Sequence, residues 1–119
     1  MTTIKSFTDL EQSKKLAEIL PINSADMWYS YFGNPKYNPT IAYKGQQWFL
    51  CQIRNSLHDD IPCWSLAALL SIFDCYEINK FGNNIQFDAK GIALSTKENE
   101  TILDIVVDTI ILLHKQNLL

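Results

Sequence analysis

Apolar positions recur at helical spacing in three stretches of this chain and alternate at strand spacing between them. The first stretch is Ile61-Pro62-Cys63-Trp64-Ser65-Leu66-Ala67-Ala68-Leu69-Leu70-Ser71-Ile72-Phe73, which carries no charge. Leu66, Leu69, Leu70 and Phe73 stand at i, i+3, i+4 and i+7, one stripe of a 3.6-residue helix. The pattern predicts a central buried helix over 61–73. Pro62 suits its first turn, and Asp59 and Asp60 precede it where negative charge meets the positive helix end. The second stretch opens with Thr8-Asp9-Leu10-Glu11, a capping-box pattern. It predicts a helix over 9–19 with Leu16, Ile19 and Leu20 inside, stopped by Pro21. In the third, Asn99 can cap a helix over 100–116. Ile102, Ile105, Val106, Ile110 and Leu113 make its broad apolar face, and Thr101, Asp104, Asp108 and Lys115 its narrow polar stripe.

Between these the period shortens. Residues 26–32 are rich in strand-forming aromatics, with Trp28 and Phe32 on one side and Met27, Tyr29 and Tyr31 on the other. A turn-rich loop follows over 33–39, then strands over 40–44 and 47–53. After Phe73, strands are expected over 76–81 and 84–88, joined by Gly82-Asn83, a pair that tolerates positive φ in a tight hairpin turn. A further strand is expected over 91–96. The order is helix, two or three strands, helix, two or three strands, helix. It predicts a single α+β domain over residues 1–119, with one antiparallel sheet of about four to six strands and about three helices.

Composition narrows the function more than the fold. Ten basic against thirteen acidic residues leave a formal charge of −3, which argues against a nonspecific grip on phosphate backbones. No stretch approaches the roughly 20 apolar residues of a membrane span. The start, Met1-Thr2-Thr3-Ile4-Lys5, has no signal-peptide character. Three cysteines in such a chain point to reduced thiols and a cytoplasmic setting. Their even spacing (Cys51, Cys63, Cys75) is read as coincidence.

Candidate chemistry is thin. Cys63, in the first turn of the predicted helix, could be an activated nucleophile with His58 nearby in sequence as its base. The plainer reading is a small buried hydrophobe beside Trp64. His58, Asp59, Asp60 and Cys63 include metal-ligand types, but no second ligand pair completes a zinc site, so no metal is assigned. Asp104 and Asp108 share a helix face and are most simply its solvated edge. The four glycines are scattered, so no phosphate loop and no cofactor is indicated. The aromatics Trp28, Tyr29, Tyr31, Trp48 and Phe49 are too many for one sheet face to cover. They predict an interaction surface, either for a protein partner or for a homodimer. Interleaved with Lys36 and Lys44, the same aromatics could stack on single-stranded nucleic acid, but the segment lacks a basic groove.

Three stretches carry a resemblance. They are Phe7-Thr8-Asp9-Leu10-Glu11-Gln12-Ser13-Lys14-Lys15-Leu16-Ala17-Glu18-Ile19-Leu20-Pro21 with Ser24-Ala25-Asp26-Met27, the run Ile61-Pro62-Cys63-Trp64-Ser65-Leu66-Ala67-Ala68-Leu69-Leu70, and the ending Leu113-His114-Lys115-Gln116-Asn117-Leu118-Leu119. Together they resemble a family of small uncharacterised proteins of gut Bacteroidota, often encoded in prophage or other mobile-element regions. Residues 34–56 fall outside the resemblance, and the second hairpin departs from it. It implies a cytoplasmic bacterial setting and one domain, and it transfers no catalytic residue. The leading expectation is therefore a non-enzymatic interaction module or regulator of phage or mobile-element type. The alternatives are a cysteine-dependent enzyme using Cys63 and a weak nucleic-acid-associated regulator.

Overall fold

The computed structural model describes residues 5–31, 48–51 and 60–119. In chain order they form α1 (Leu10–Ala17), a 3-10 turn (Ile22–Ser24), β1 (Met27–Tyr31), β2 (Trp48–Cys51), β3 (Ile61–Cys63), α2 (Leu66–Leu70), β4 (Glu77–Phe81), β5 (Asn84–Ala89), β6 (Ile92–Ser95) and α3 (Ile102–Lys115). The α+β class is as expected. The sheet is not single: the strands pair as two three-stranded antiparallel sheets, β2-β1-β3 and β4-β5-β6. The strand expected over 40–44 lies outside the described residues.

The two longer helices start one or two residues later than the capping patterns suggested. Asp9, rather than Thr8, caps α1: its carboxylate accepts from Gln12 N at 2.8 Å, and the Gln12 side chain accepts from Asp9 N at 3.1 Å. Thr101, rather than Asn99, caps α3, with Asp104 reaching back in the same reciprocal box. Asn99 instead takes a left-handed φ of 65° in the preceding turn, which Asn tolerates better than most residues.

The largest departure falls within 61–73. Ile61–Cys63 is a strand, and the helix shrinks to Leu66–Leu70 behind a Ser65 cap. The i, i+3, i+4 stripe constrained only the part from Leu66 onward. Pro62 fits a helix start, but it equally fits an edge strand, where its missing donor costs no ladder bond. Among the described strands β3 is such an edge, with Pro62 opposite Trp28. Residues just before α1 pack alongside it: Thr8 N donates to Trp64 O at 2.9 Å and Leu66 N to Ser6 O at 2.9 Å.

The β4-β5-β6 sheet is a plain meander. Gly82, first of the two turn residues after β4, sits at φ 61°. Lys90 and Gly91, between β5 and β6, both have positive φ, the requirement of a type I′ turn. α3 lies across β5 and β6. Leu103, Ile105, Val106, Val107, Ile110 and Leu113 of α3 join Leu16, Leu20, Trp64, Leu69, Phe73 and Phe87 in one buried cluster. Thr109, also buried, returns its hydroxyl to Ile105 O at 2.8 Å, so no polar atom is stranded there.

Candidate interaction surface

Cys63 is 0% exposed. It sits on a strand, so no helix start lowers its pKa. Its thiol donates to Thr8 O at 3.4 Å and accepts from Thr8 Oγ1 at 3.5 Å, and Thr8 Oγ1 is 2.7 Å from Ser13 Oγ. Burial pushes the thiol pKa up, against the pull of hydrogen bonds from Thr8, Ser13 and Tyr29. Tyr29 is pushed up to about 12, by burial first and by Cys63 next. Its hydroxyl donates to Thr8 O at 2.8 Å. These groups form a buried polar knot tying β1, β3 and the residues before α1. A buried thiol with a raised pKa lacks the access and the thiolate character that an activated nucleophile needs. His58, its candidate base, lies outside the described residues.

Of the two α3 carboxylates expected at a solvated edge, Asp108 is exposed and Asp104 is engaged. Lys5 Nζ donates to Asp9 at 2.9 Å and to Asp104 at 2.8 Å, and Gln12 Nε2 donates to Asp104 at 2.9 Å. One lysine thus clamps Asp9, the cap of α1, to Asp104 in the first turn of α3. Burial alone would raise the pKa of Asp104, but the bonds from Lys5, Thr101 and Gln12 outweigh it and hold it at about 2. Asp108 is exposed, with its pKa raised by partial burial and by Glu100. Among the described residues, no three His, Cys, Asp or Glu side chains gather as a metal site.

The expected aromatic surface on β1 and β2 divides. Trp28 is 9% exposed, so its ring packs inside the fold rather than standing on a free sheet face. Tyr29 is half-buried and its hydroxyl is committed to Thr8. Tyr31, Trp48 and Phe49 lie on the paired backbones of β1 and β2, and their side chains lie outside the described set.

Three exposed large apolar side chains, Tyr76, Ile78 and Phe81, lie on or next to β4 instead, while Phe7, Ile22, Leu118 and Leu119 are exposed elsewhere. Cross-strand register puts Ile78 beside Phe87 and Leu94 on the face toward α3. α3 packs mainly over β5 and β6 and leaves β4 at the margin of the sheet. All five residues of β4 are exposed. Tyr76 is 40%, Ile78 44% and Phe81 61% exposed. Tyr76 rests on Phe87 with ring centroids 5.7 Å apart, and Phe87 meets Phe73 edge-on at 5.3 Å. Tyr76 and Ile78 are therefore continuous with the core, while Phe81 stands on the opposite face of β4.

The outer edge of β4 is open as well. Phe81 and Asn84 close a two-residue turn, so Phe81, Asn79 and Glu77 direct their backbone groups at β5. Ile78 and Lys80, between them, direct theirs away from the sheet. No described strand pairs with that side.

Two hollows accompany these features. One of about 390 Å³ lies at the start of β4, among Asp74, Cys75, Tyr76, Glu77, Asp88 and Lys90. Cys75 there is an exposed free thiol. The other, of about 610 Å³, runs between the 3-10 turn and α2 over Leu20, Pro21, Ala68 and Ile72. Its one acid, Asp26, is already bonded to the backbone and hydroxyl of Ser65. Among the described residues, no helix is long and apolar enough to cross a membrane. Comparison with family models, with curated proteins and with solved structures finds no match.

Proposed function

We propose that this chain is a small non-enzymatic protein-interaction module that binds its partner through β4. The carrying observation is an edge strand with all five residues exposed, backed by apolar side chains that lead into the core. Long open edges template pairing with another chain, and native proteins usually cover or shorten them. An incoming strand gains main-chain hydrogen bonds from Ile78 and Lys80, while Tyr76, Ile78 and Phe81 supply side-chain contact. A cytoplasmic setting and a regulatory role of phage or mobile-element type belong to the same proposal and rest on the sequence resemblance. The surface expected on Trp28 and Tyr29 gives way to β4, because those two rings are engaged inside the fold.

Photo-cross-linking in cells tests this. A benzoylphenylalanine at position 81 or 78 should yield a covalent protein adduct, while the same group at Lys14, on the exposed side of α1, should not. No adduct from either β4 position overturns the proposal.

A further inference from the structure

We infer that the strand that completes the β4 edge is β4 of a second copy of this chain, antiparallel, with Ile78 facing Ile78 across a two-fold axis. This rests on the interaction-module reading and names its partner.

The β4 edge is self-complementary. The segment Asp74-Cys75-Tyr76-Glu77-Ile78-Asn79-Lys80-Phe81 is acidic at its start and basic at its end. A parallel neighbour would set like charges side by side, whereas an antiparallel copy brings each acidic start to the other's basic end. A two-fold axis perpendicular to the sheet keeps the α3 side of both copies on the same face. Only residues of that face then oppose one another on that face, which limits the registers to a few.

Centring on Glu77 opposes two carboxylates, and centring on Lys80 opposes two ammonium groups. Centring on Asn79 sets the Glu77 carboxylate against the Phe81 ring and Lys80 against Ile78. Centring on Ile78 avoids all of these. It pairs Ile78 with itself and lays Lys80 over the Tyr76 ring of the second copy, a favourable cation–π arrangement. It also places Lys80 diagonal to Asp74 of the second copy, and Glu77 opposite Asn79. The outward backbone groups of Ile78 and Lys80 then meet those of Ile78 and Tyr76. The two sheets merge as β6-β5-β4-β4-β5-β6, and both copies' Tyr76 and Ile78 form one apolar cluster beside the two α3 helices.

The test combines sedimentation velocity of the full chain, from low to high micromolar concentration, with site-directed cross-linking. The expected result is a dimer that Ile78→Lys converts to a monomer with unchanged circular dichroism. In a Cys75→Ser background, Ile78→Cys should oxidise to a linked dimer, because directly opposed Cα atoms about 5.5 Å apart lie within disulfide reach. Asn79→Cys should not link. A dimer linked through Asn79→Cys and indifferent to Ile78→Lys overturns the inference. So does a chain that stays monomeric throughout. If that monomer still gives photo-adducts with a different protein from position 81, the interaction-module reading survives without self-pairing. If it gives no adduct, both fall.

Discussion

Cys63 shows how far a residue's meaning depends on the element that carries it. In a helix start its thiol would face a positive dipole and solvent; in β3 it faces hydroxyls and no water. The thiol donates to Thr8 O and accepts from Thr8 Oγ1, and Ser13 completes the hydroxyl chain behind it. A buried thiol with a raised pKa holds little thiolate at neutral pH, and reagents reach it only through unfolding. Cys75, exposed before β4, serves as the internal reference. With a thiol reagent at pH 7, Cys75 should label at once and Cys63 only as fast as the fold opens, with urea abolishing the difference. Rapid native labelling of Cys63, resolved by peptide mapping, would contradict the buried knot. Cys63→Ser is expected to be tolerated poorly, since a hydroxyl is smaller and more strongly desolvated than a thiol in the same site.

Among the elements, α1 and α3 owe their mutual placement to the Lys5 clamp. Asp104 serves three partners at once: the Thr101 cap, Gln12 and Lys5. Its pKa in the fold is about 2 against an ordinary 3.8. A carboxyl depressed by folding adds stability that is fully present above its unfolded value. That stability is lost as pH falls from about 4 toward about 2. Asp9, also lowered, adds a smaller contribution of the same sign, since it is the more exposed of the two. Lys5 is shifted upward, so its share is kept below its ordinary 10.5 and lost only in strong alkali. Asp104→Asn should therefore cost about 1–2 kcal/mol at pH 7, the range for losing a cap and its ion pair. It should also flatten the acid limb of urea midpoints measured from pH 7 to pH 2. An acid limb as steep as that of the parent chain would place the clamp's stabilising role elsewhere. How much of this the sequence disclosed also varies by element. The apolar stripe of α3, the Leu16 face of α1 and the Gly82 turn were legible because local periodicity and turn chemistry decide them. The β3–α2 boundary was not, because a charge-free run with a proline suits a buried strand and a helix start equally. What decides it is pairing with β1, a contact made more than thirty residues away. The β4 surface was hidden for a related reason. Tyr76 and Ile78 alternate like core residues, and only the position of α3 leaves them outside. Lys80, continuing the same face, was the one local hint that this edge meets water.

At the scale of the whole molecule, the question is whether two sheets make two folding units or one. Sheet β2-β1-β3 comes from the first half of the chain and β4-β5-β6 from the second, and no described strand of one pairs with a strand of the other. Among the described residues, buried side chains from both halves nevertheless meet in one place. Leu16 and Leu20 from the α1 region, Trp64 beside β3, Leu69 of α2, Phe87 of β5 and six residues of α3 belong to a single buried cluster. The Lys5–Asp104 and Gln12–Asp104 bonds reinforce the same junction from the polar side. Neither half can keep its apolar residues covered without the other, so unfolding should be one cooperative step. The chain offers a clean test, because Trp28, Trp48 and Trp64 all lie in the first half while α3, the longest helix, lies in the second. Tryptophan fluorescence and helical circular dichroism should then trace the same urea transition, with equal midpoints and slopes. Phe87→Ala, which removes a second-half ring from the shared core, should lower both midpoints together, by about 3–5 kcal/mol of stability. Fluorescence that keeps its original midpoint in that variant would show that the first half stands by itself. The shared cluster would then be a contact between two independent units rather than the core of one.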